Sequence, residues 1–532
     1  MKAASINLFV TMLCWLIGFQ LLGSTVESDI CIYGGTSAGV ITAVQAAKLG
    51  KQVVLIEPGK HLGGMTASGL GWTDIGNKDA IGGLSREFYR RLGKHYSKAE
   101  AWTFEPHVAE KEFVTMLAES KTPVYFQQKL SAVKKDGVRI SEIITEDGSV
   151  FRAKIFIDAT YEGDLMAKAG VSYSVGREAN VTYGETLNGI RNATPKNQLL
   201  VPVDPFVIAG DTNSGLLPFV QVGELGIPGN GDKYVQAYNY RLCLTKNPAN
   251  RKPIEPPPNY DPKQYELLGR YFDALAAAGK TVTLRNFIKM DMVTGDKTDS
   301  NNSGGFSTDF IGMNNDYPDG DDATRKQFQA DCLNYTKGFL TYLATSPRVP
   351  QPIQKELQEW GLCRDEFQDT DGWPNQIYVR ESRRMISDYV MTEKNCRQEQ
   401  VAADSIGLAA YSMDSHNCRR IVRNGKVENE GDVQVPPMSP YPISYRSIVP
   451  RAEQCENLLV PVCLAASHIA YGSIRMEPVF MMLGQSAAAA ASLAIDQKVS
   501  VQKVDYQNLR DSLIAGQQFL EWKTNSPAKI SK

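Results

Sequence analysis

The sequence predicts an α/β protein: a Rossmann-like nucleotide-binding unit on the N-terminal side, followed by a mixed α+β region. Three stretches carry that reading. "DICIYGGTSAGVITAVQAAKLGKQVVLIEP" (Asp29 to Pro58) has the order strand, glycine turn, helix, strand, acid. "VYFQQKLSAVKKDGVRISEIITEDGSVFRAKIFIDAT" (residues 124 to 160) alternates like an antiparallel meander, with "KDG" and "EDG" as hairpin signals. Residues from about 180 to 435 are rich in Pro, Asn and Tyr and show no second nucleotide motif, which predicts a separate domain for substrate.

In the first stretch "ICIY" reads as a short buried strand and "AGVITAVQAAKLG" as a helix with a glycine stop. "KQVVLIE" is the second strand, ending in Glu57, about twenty residues past the turn, where an acid reads a ribose hydroxyl. Gly34 makes the tight turn and Gly39 lets helix and strand approach, while the helix N-terminus offers N–H groups to a pyrophosphate. Thr36 stands where the fingerprint has its middle glycine. Its Cβ crowds the pyrophosphate path, and Gly35 beside it relaxes the backbone. The Thr36 and Ser37 hydroxyls are expected to donate to phosphate oxygens.

The chain has 532 residues, enough for two packed domains, with 42% hydrophobic and 22% charged residues. A net charge of −2 without long basic blocks argues against nucleic acid as a partner. Lys2 precedes the apolar run "LFVTMLCWLIGFQLL", and Gly23 and Ser24 follow it. The run is short for a membrane span and suits a signal peptide over residues 1–24. Export to the periplasm or medium is the expectation, with no integral membrane span after cleavage and an uncleaved anchor as the alternative. Nine cysteines include Cys14 in that leader and Cys31 in the first strand, expected to be a buried thiol. Neither CxxC nor HxxxH occurs, so no zinc site is expected. "NNDYPDGDD" (Asn314 to Asp322) reads as a solvated turn in preference to a calcium loop.

A second glycine-rich run, "LGGMTASGLG" (Leu62 to Gly71), follows Glu57. With it come "AKIFIDATYEGDLMAKAGV" (Ala153 to Val171), "YVRESRRMISDYVMT" (Tyr378 to Thr392), "PYPISYRSIVPR" and "NLLVPVCLAASHIAYGSIRMEPVFMMLGQSAAAAASLA" (Asn457 to Ala494). Through these blocks nearly the whole chain after the leader resembles the FAD-dependent oxidoreductase family of the glutathione-reductase-like superfamily. It looks closest to an exported bacterial group, some of whose members carry a "xanthan lyase" label that the flavin motifs do not support. The resemblance implies non-covalent FAD and a discontinuous Rossmann-like FAD-binding domain, residues 25–180 and 436–500, with the mixed α+β substrate domain, 181–435, inserted. Residues 501–532 are expected to form a C-terminal tail, with "QFLEWKTNSPAKISK" (Gln518 to Lys532) on the surface. The implied cofactor residues are Gly34, Gly35, Thr36, Ser37, Ala38, Gly39, Glu57, Gly63, Gly64, Met65, Thr66, Ala159, Asp164, Arg475 and Pro478. A small polar substrate, such as a sugar or sugar-derived alcohol, and an unspecified electron acceptor complete the expectation. The alternatives are a polysaccharide-active lyase and a flavin-binding protein without turnover.

Pro478 opens a small-residue helix whose N-terminus is expected to face the flavin. His468, just before it, is the first candidate proton acceptor, and His416 in "MDSHNC" the second. A buried structural histidine is the plain alternative for each. Arg380 and Arg384 share a face at helical spacing with Arg383 to one side. Arg383 and Arg446 are expected at the flavin or substrate, against a solvated basic face as the alternative. Trp72, Asp74 and Tyr161 are weaker cavity candidates. His61, beside the glycines, raises covalent flavin attachment, which is not favoured.

Overall fold

The computed structural model describes residues 23–192 and 194–522; residues 1–22 of the expected signal peptide lie outside them. The first strand, β1 (Thr25–Tyr33), leads through the glycine turn into α1 (Ser37–Lys48) and back to β2 (Val53–Glu57), parallel to β1. Strands β3 (Val124–Phe126), β4 (Leu130–Asp136), β5 (Arg139–Thr145) and β6 (Val150–Asp158) complete the N-terminal part of a sheet ordered β3-β2-β1-β6-β5-β4. The hairpin signals are correct for β4–β5–β6, which pair antiparallel, whereas Val124–Phe126 joins β2 in parallel as the sheet edge. Strand β6 pairs with β1 along one edge and is long enough to serve two partners along the other. Its first half pairs with β5 and its second half with β7 (Leu458–Leu459), so the C-terminal block returns to the sheet of the first motif.

Beyond β7 come α2 (His468–Ile474) and α3 (Glu477–Gln497), with Pro478 in the first turn of α3. Helix α3 is long and apolar enough to cross a membrane, yet it is buried against α1 as a core helix. Its alanines and Gly484 allow that approach: a Cβ at Gly484 would lie 2.5 Å from the Ala38 carbonyl oxygen. The segment expected as a C-terminal tail carries α4 (Tyr506–Ala515), whose Leu509 and Leu513 are buried. Past it, the Gln518 amide donates to the Met482 carbonyl and the Ser486 hydroxyl of α3. The i, i+4 spacing of Leu509 and Leu513 is the sequence signal for that amphipathic helix.

Arg380 to Arg384 are not helical. They run extended, with Arg384–Met385 pairing Tyr173–Ser174. All three arginines are buried, so the solvated face is also wrong. Asp321 caps the helix Asp322–Thr345 through the Thr324 N–H, and Asp322 pairs with Lys129 and Lys326, so "NNDYPDGDD" is a turn and cap.

Candidate functional site

The glycine turn is built from close backbone contacts. Gly34 has φ +104° and Gly39 has no room for a side chain: a Cβ there would sit 1.9 Å from the Gly34 carbonyl oxygen. Thr36 is the N-cap of α1, its Oγ1 accepting from the Gly39 N–H at 3.3 Å and donating to the Ala159 carbonyl at 2.7 Å. The hydroxyl expected to reach phosphate is thus turned inward, tying α1 to the end of β6. Ser37 likewise donates to Glu477 at 2.6 Å. Val40 N–H bonds to the Thr36 carbonyl and Gly39 to its side chain, leaving the Ser37 and Ala38 N–H groups as the free donors of the first turn.

Glu57 accepts from the Gly35 N–H at 2.7 Å and from that of Gly59. Burial pushes its pKa up to about 7 against those two bonds. Each carboxylate oxygen keeps a further lone pair for a ribose hydroxyl. Gly63 donates to the Gly35 carbonyl, which lays the second glycine run beside the turn. Gly64 packs on Tyr161, where a Cβ would lie 2.3 Å from the phenol oxygen. The Met65 N–H donates to that oxygen at 2.9 Å.

Glu477, unnoticed in the sequence, joins these pieces. It opens α3, is 4% exposed, and accepts from Ser37 (2.6 Å), Thr66 (2.8 Å) and Tyr161 (2.7 Å). Burial raises its pKa, and the three hydroxyls partly offset that. Pro478 holds the same turn through its carbonyl, which accepts from Ser85.

A cleft of about 240 Å³ runs along this arrangement, lined by Gly34, Thr36, Glu57, Gly64 and Tyr161 and reaching Asn375 and Gln376. The donor set fits the ADP half of a dinucleotide: two free N–H groups at a helix N-terminus, glycines with no side chain in the way, and an acid at the far end. At the inner end the Ser68 hydroxyl bonds to Asn375. His61 lines the cleft, but Glu110 (3.0 Å) and Asp369 (2.9 Å) take both ring nitrogens and raise its pKa to about 9, the Glu110 bond most. That leaves no free nitrogen for a covalent flavin link.

Beyond Asn375 the chain enters a buried polar network. Tyr378 has three guanidinium groups near its ring: Arg380 at 4.8 Å, Arg241 and Arg475 at 5.6 Å. Each is matched by an acid, Arg241 with Asp299, Arg380 with Asp309 and Arg475 with Asp414. Arg475 also donates to the Tyr378 hydroxyl at 2.7 Å. The second glycine run covers this network, since the Trp72 N–H donates to Asp299 and Asp74 accepts from Tyr411.

His416 stands at its edge, its side chain 12% exposed, with Nδ1 2.8 Å from Asp309 and Nε2 3.5 Å from Asp414. Burial and Arg380 push its pKa down, but the two aspartates outweigh them and the net shift is upward. His468 is different. It is 2% exposed, Nδ1 lies 2.7 Å from Glu381 and Nε2 lies 3.0 Å from Ser415, so neither nitrogen is free. Gln236 links the two histidine environments, donating to Glu381 and accepting from the His416 N–H and from Arg475.

Three expected site residues do not line the cleft themselves. Asp164 holds Arg325 and Arg383, and Arg383 reaches Asp319 as well, an ion cluster needed to bury those charges. Arg446 pairs with Asp404 and stacks on Tyr389 at 4.7 Å beside a separate cavity of about 290 Å³. Arg383 also donates to the Glu162 carbonyl, and Arg325 donates to the Tyr317 carbonyl and lies over its ring. Glu162 and Tyr317 line the cleft, so this cluster backs the cleft wall, whereas the Arg446 pair does not. Arg241, Asp299, Asp309 and Asp414 had no motif to reveal them; the only signal was charge inside otherwise apolar or extended stretches.

A Rossmann-type unit, a glycine-lined cleft and a C-terminal helix returning to its mouth define a dinucleotide-dependent enzyme. The sequence model of the family described as FAD dependent oxidoreductase matches residues 29–513, and the chain belongs to that family. That family's description names FAD as the cofactor and oxidoreduction as the chemistry. Among solved structures it is similar to thioredoxin reductase of T. acidophilum (22% identity, 25% of this chain, 34% of that chain, TM-score 0.18). L-proline dehydrogenase of P. horikoshii is also similar (21% identity, 30% and 25%, TM-score 0.19). So is 3-ketosteroid-delta4-(5alpha)-dehydrogenase of Rhodococcus jostii (14% identity, 27% and 48%, TM-score 0.20). The chain spans between a quarter and a half of the length of these proteins. No curated protein matches it.

Proposed function

We propose that this exported enzyme oxidises a small polar substrate, a sugar-derived alcohol being the leading candidate, at the inner end of the cleft. Bound FAD supplies the redox chemistry by accepting hydride. Gly34, Gly39, Ser37, Ala38 and Glu57 hold the ADP half, and Glu477 fixes the three segments around it. His416 takes the substrate hydroxyl proton, Asp309 orients its ring, and Arg475 and Tyr378 position the substrate oxygen. His468 is assigned a positioning role, holding Glu381 and through Gln236 the His416 backbone.

The observation that carries this reading is the continuity from Gln376, which lines the cleft, to Tyr378, Arg475, Asp414 and the partly exposed His416. A base must be within reach of its proton as well as of suitable pKa, and His416 is the histidine of this network with exposed surface. The leader over residues 1–24 supports export. Purified full chain should show flavin absorption bands, bleached anaerobically by a polyol or aldose panel. Absence of flavin bands refutes the cofactor assignment for this chain, and bleaching by apolar alcohols alone refutes the substrate class.

A further inference from the structure

All eight cysteines of the described residues are buried thiols. Several rest against oxygen atoms: Cys463 Sγ against the Thr160 and Tyr161 carbonyls, Cys418 Sγ against that of His416. Cys243 and Cys363 instead face each other, their Sγ atoms 3.8 Å apart across 120 residues of sequence. The strands Leu244–Thr245 and Gly361–Cys363 pair antiparallel, Leu244 opposite Leu362 and Thr245 opposite Gly361. One step further along that register sets Cys243 opposite Cys363. Directly opposed residues hold their Cα atoms about 4.5–5.5 Å apart with both side chains on one face. A disulfide spans about 4.4–6.8 Å between Cα atoms. The two cysteines and Phe367 form an apolar cluster of their own, apart from the main core. Nothing in the cleft uses them.

We propose that Cys243 and Cys363 are a disulfide site, oxidised to a cross-strand cystine that braces the substrate domain. The two thiols give up two protons and two electrons, forming one S–S bond. The oxidant is a disulfide, glutathione disulfide or that of a thiol oxidoreductase; its S–S bond breaks and it leaves as two thiols, through a mixed-disulfide step. Both cysteines are at most 1% exposed. The contact with Cys363, together with burial, pushes the Cys243 thiol well up, so the folded protein offers little reactive thiolate. The bond therefore forms while the two strands are pairing. It fixes the strand two residues after Arg241, hence the Arg241–Asp299 pair beside Tyr378.

The test uses the full chain produced in a host with an oxidising cytoplasm, so the outcome does not depend on the leader. The protein is denatured with an alkylating agent and no reductant, then digested. Mass spectrometry should show the Cys243 peptide joined to the Cys363 peptide, with the other cysteines alkylated. Dithiothreitol should lower the melting temperature of the unmodified sequence by about 4 °C, from the restored freedom of a loop this long in a chain this large. The double variant C243S/C363S should melt lower from the start and not respond to reductant. Alkylation of both Cys243 and Cys363 as free thiols overturns the proposal, as does an equal reductant effect in the double variant.

Discussion

Replacing Thr36 by Val keeps the shape of the side chain at the glycine turn and removes only its hydroxyl. In the structure that hydroxyl caps α1 through the Gly39 N–H and donates to the buried Ala159 carbonyl. Loss of an N-cap costs about 1 kcal/mol, and loss of one buried hydrogen bond about another 1 kcal/mol. The two bonds share one oxygen, so about 2 kcal/mol is the expected total. Unfolding entropy of about 2 cal/mol/K per residue makes each kcal/mol worth about 1 °C in a chain of this size, giving a melting-point drop of about 2 °C. Thr36→Ser, which retains the oxygen, should lose much less. FAD affinity, read from quenching of flavin fluorescence, should change less than threefold in both variants once they are folded. The opposite pattern would refute the reasoning: a Thr36→Val protein as stable as the original that has lost FAD tenfold or more. That result would mean the hydroxyl serves the phosphate, as the sequence alone suggested, and not the helix.

Glu477→Gln should reduce both stability and FAD retention, because an amide NH2 would face one of three hydroxyls that all donate; the expected cost is about 1–3 kcal/mol, read by thermal melting and bound-flavin content. His416→Asn should slow substrate-driven flavin reduction about a hundredfold with FAD retained. His468→Asn should instead cost about 3 kcal/mol of stability, since Glu381 loses a buried partner; stopped-flow reduction and melting curves on both variants separate the roles. The base must be neutral to accept a proton, and the aspartates raise the His416 pKa above 6.5, so the reduction rate should rise with pH through a value above 6.5. Burial works against the charged forms of Glu178 and Asp414, but Arg384 beside the first and His416 and Arg475 beside the second hold each down to about 2. Their ordinary values are 4.5 and 3.8, so this stabilisation is complete above about pH 5 and lost as pH falls toward 2. Denaturant melts at pH 6 and pH 3 should differ accordingly; equal midpoints would remove both ion pairs from the account.

The nucleotide half was legible because its elements depend on neighbours in sequence. The strand, turn and helix from Ile30 to Glu57 follow from apolar runs and from two glycines whose missing Cβ atoms a short backbone path demands. The small residues of α3 predicted close packing for a similar reason, and its partner is α1. The arginine block failed for want of such a local rule. Arg380, Arg383 and Arg384 suit a helix face by spacing, yet each is buried and must meet an acid, and those acids come from residues 309, 164, 319, 178 and 381.

By itself the sequence determined the βαβ unit and the second glycine run beside it from signals spanning a few tens of residues. The class of cofactor came through a resemblance carried by blocks spread over nearly the whole chain. Only the tertiary structure decided that the Thr36 hydroxyl faces Ala159, that Glu477 ties three segments together, and that His416 keeps exposed surface while His468 does not. Those outcomes depend on contacts between residues from about fifty to more than four hundred positions apart. Hydrogen bonds and ion pairs of buried groups are settled by which partners the fold brings within about 3 Å, and no local pattern encodes that distance.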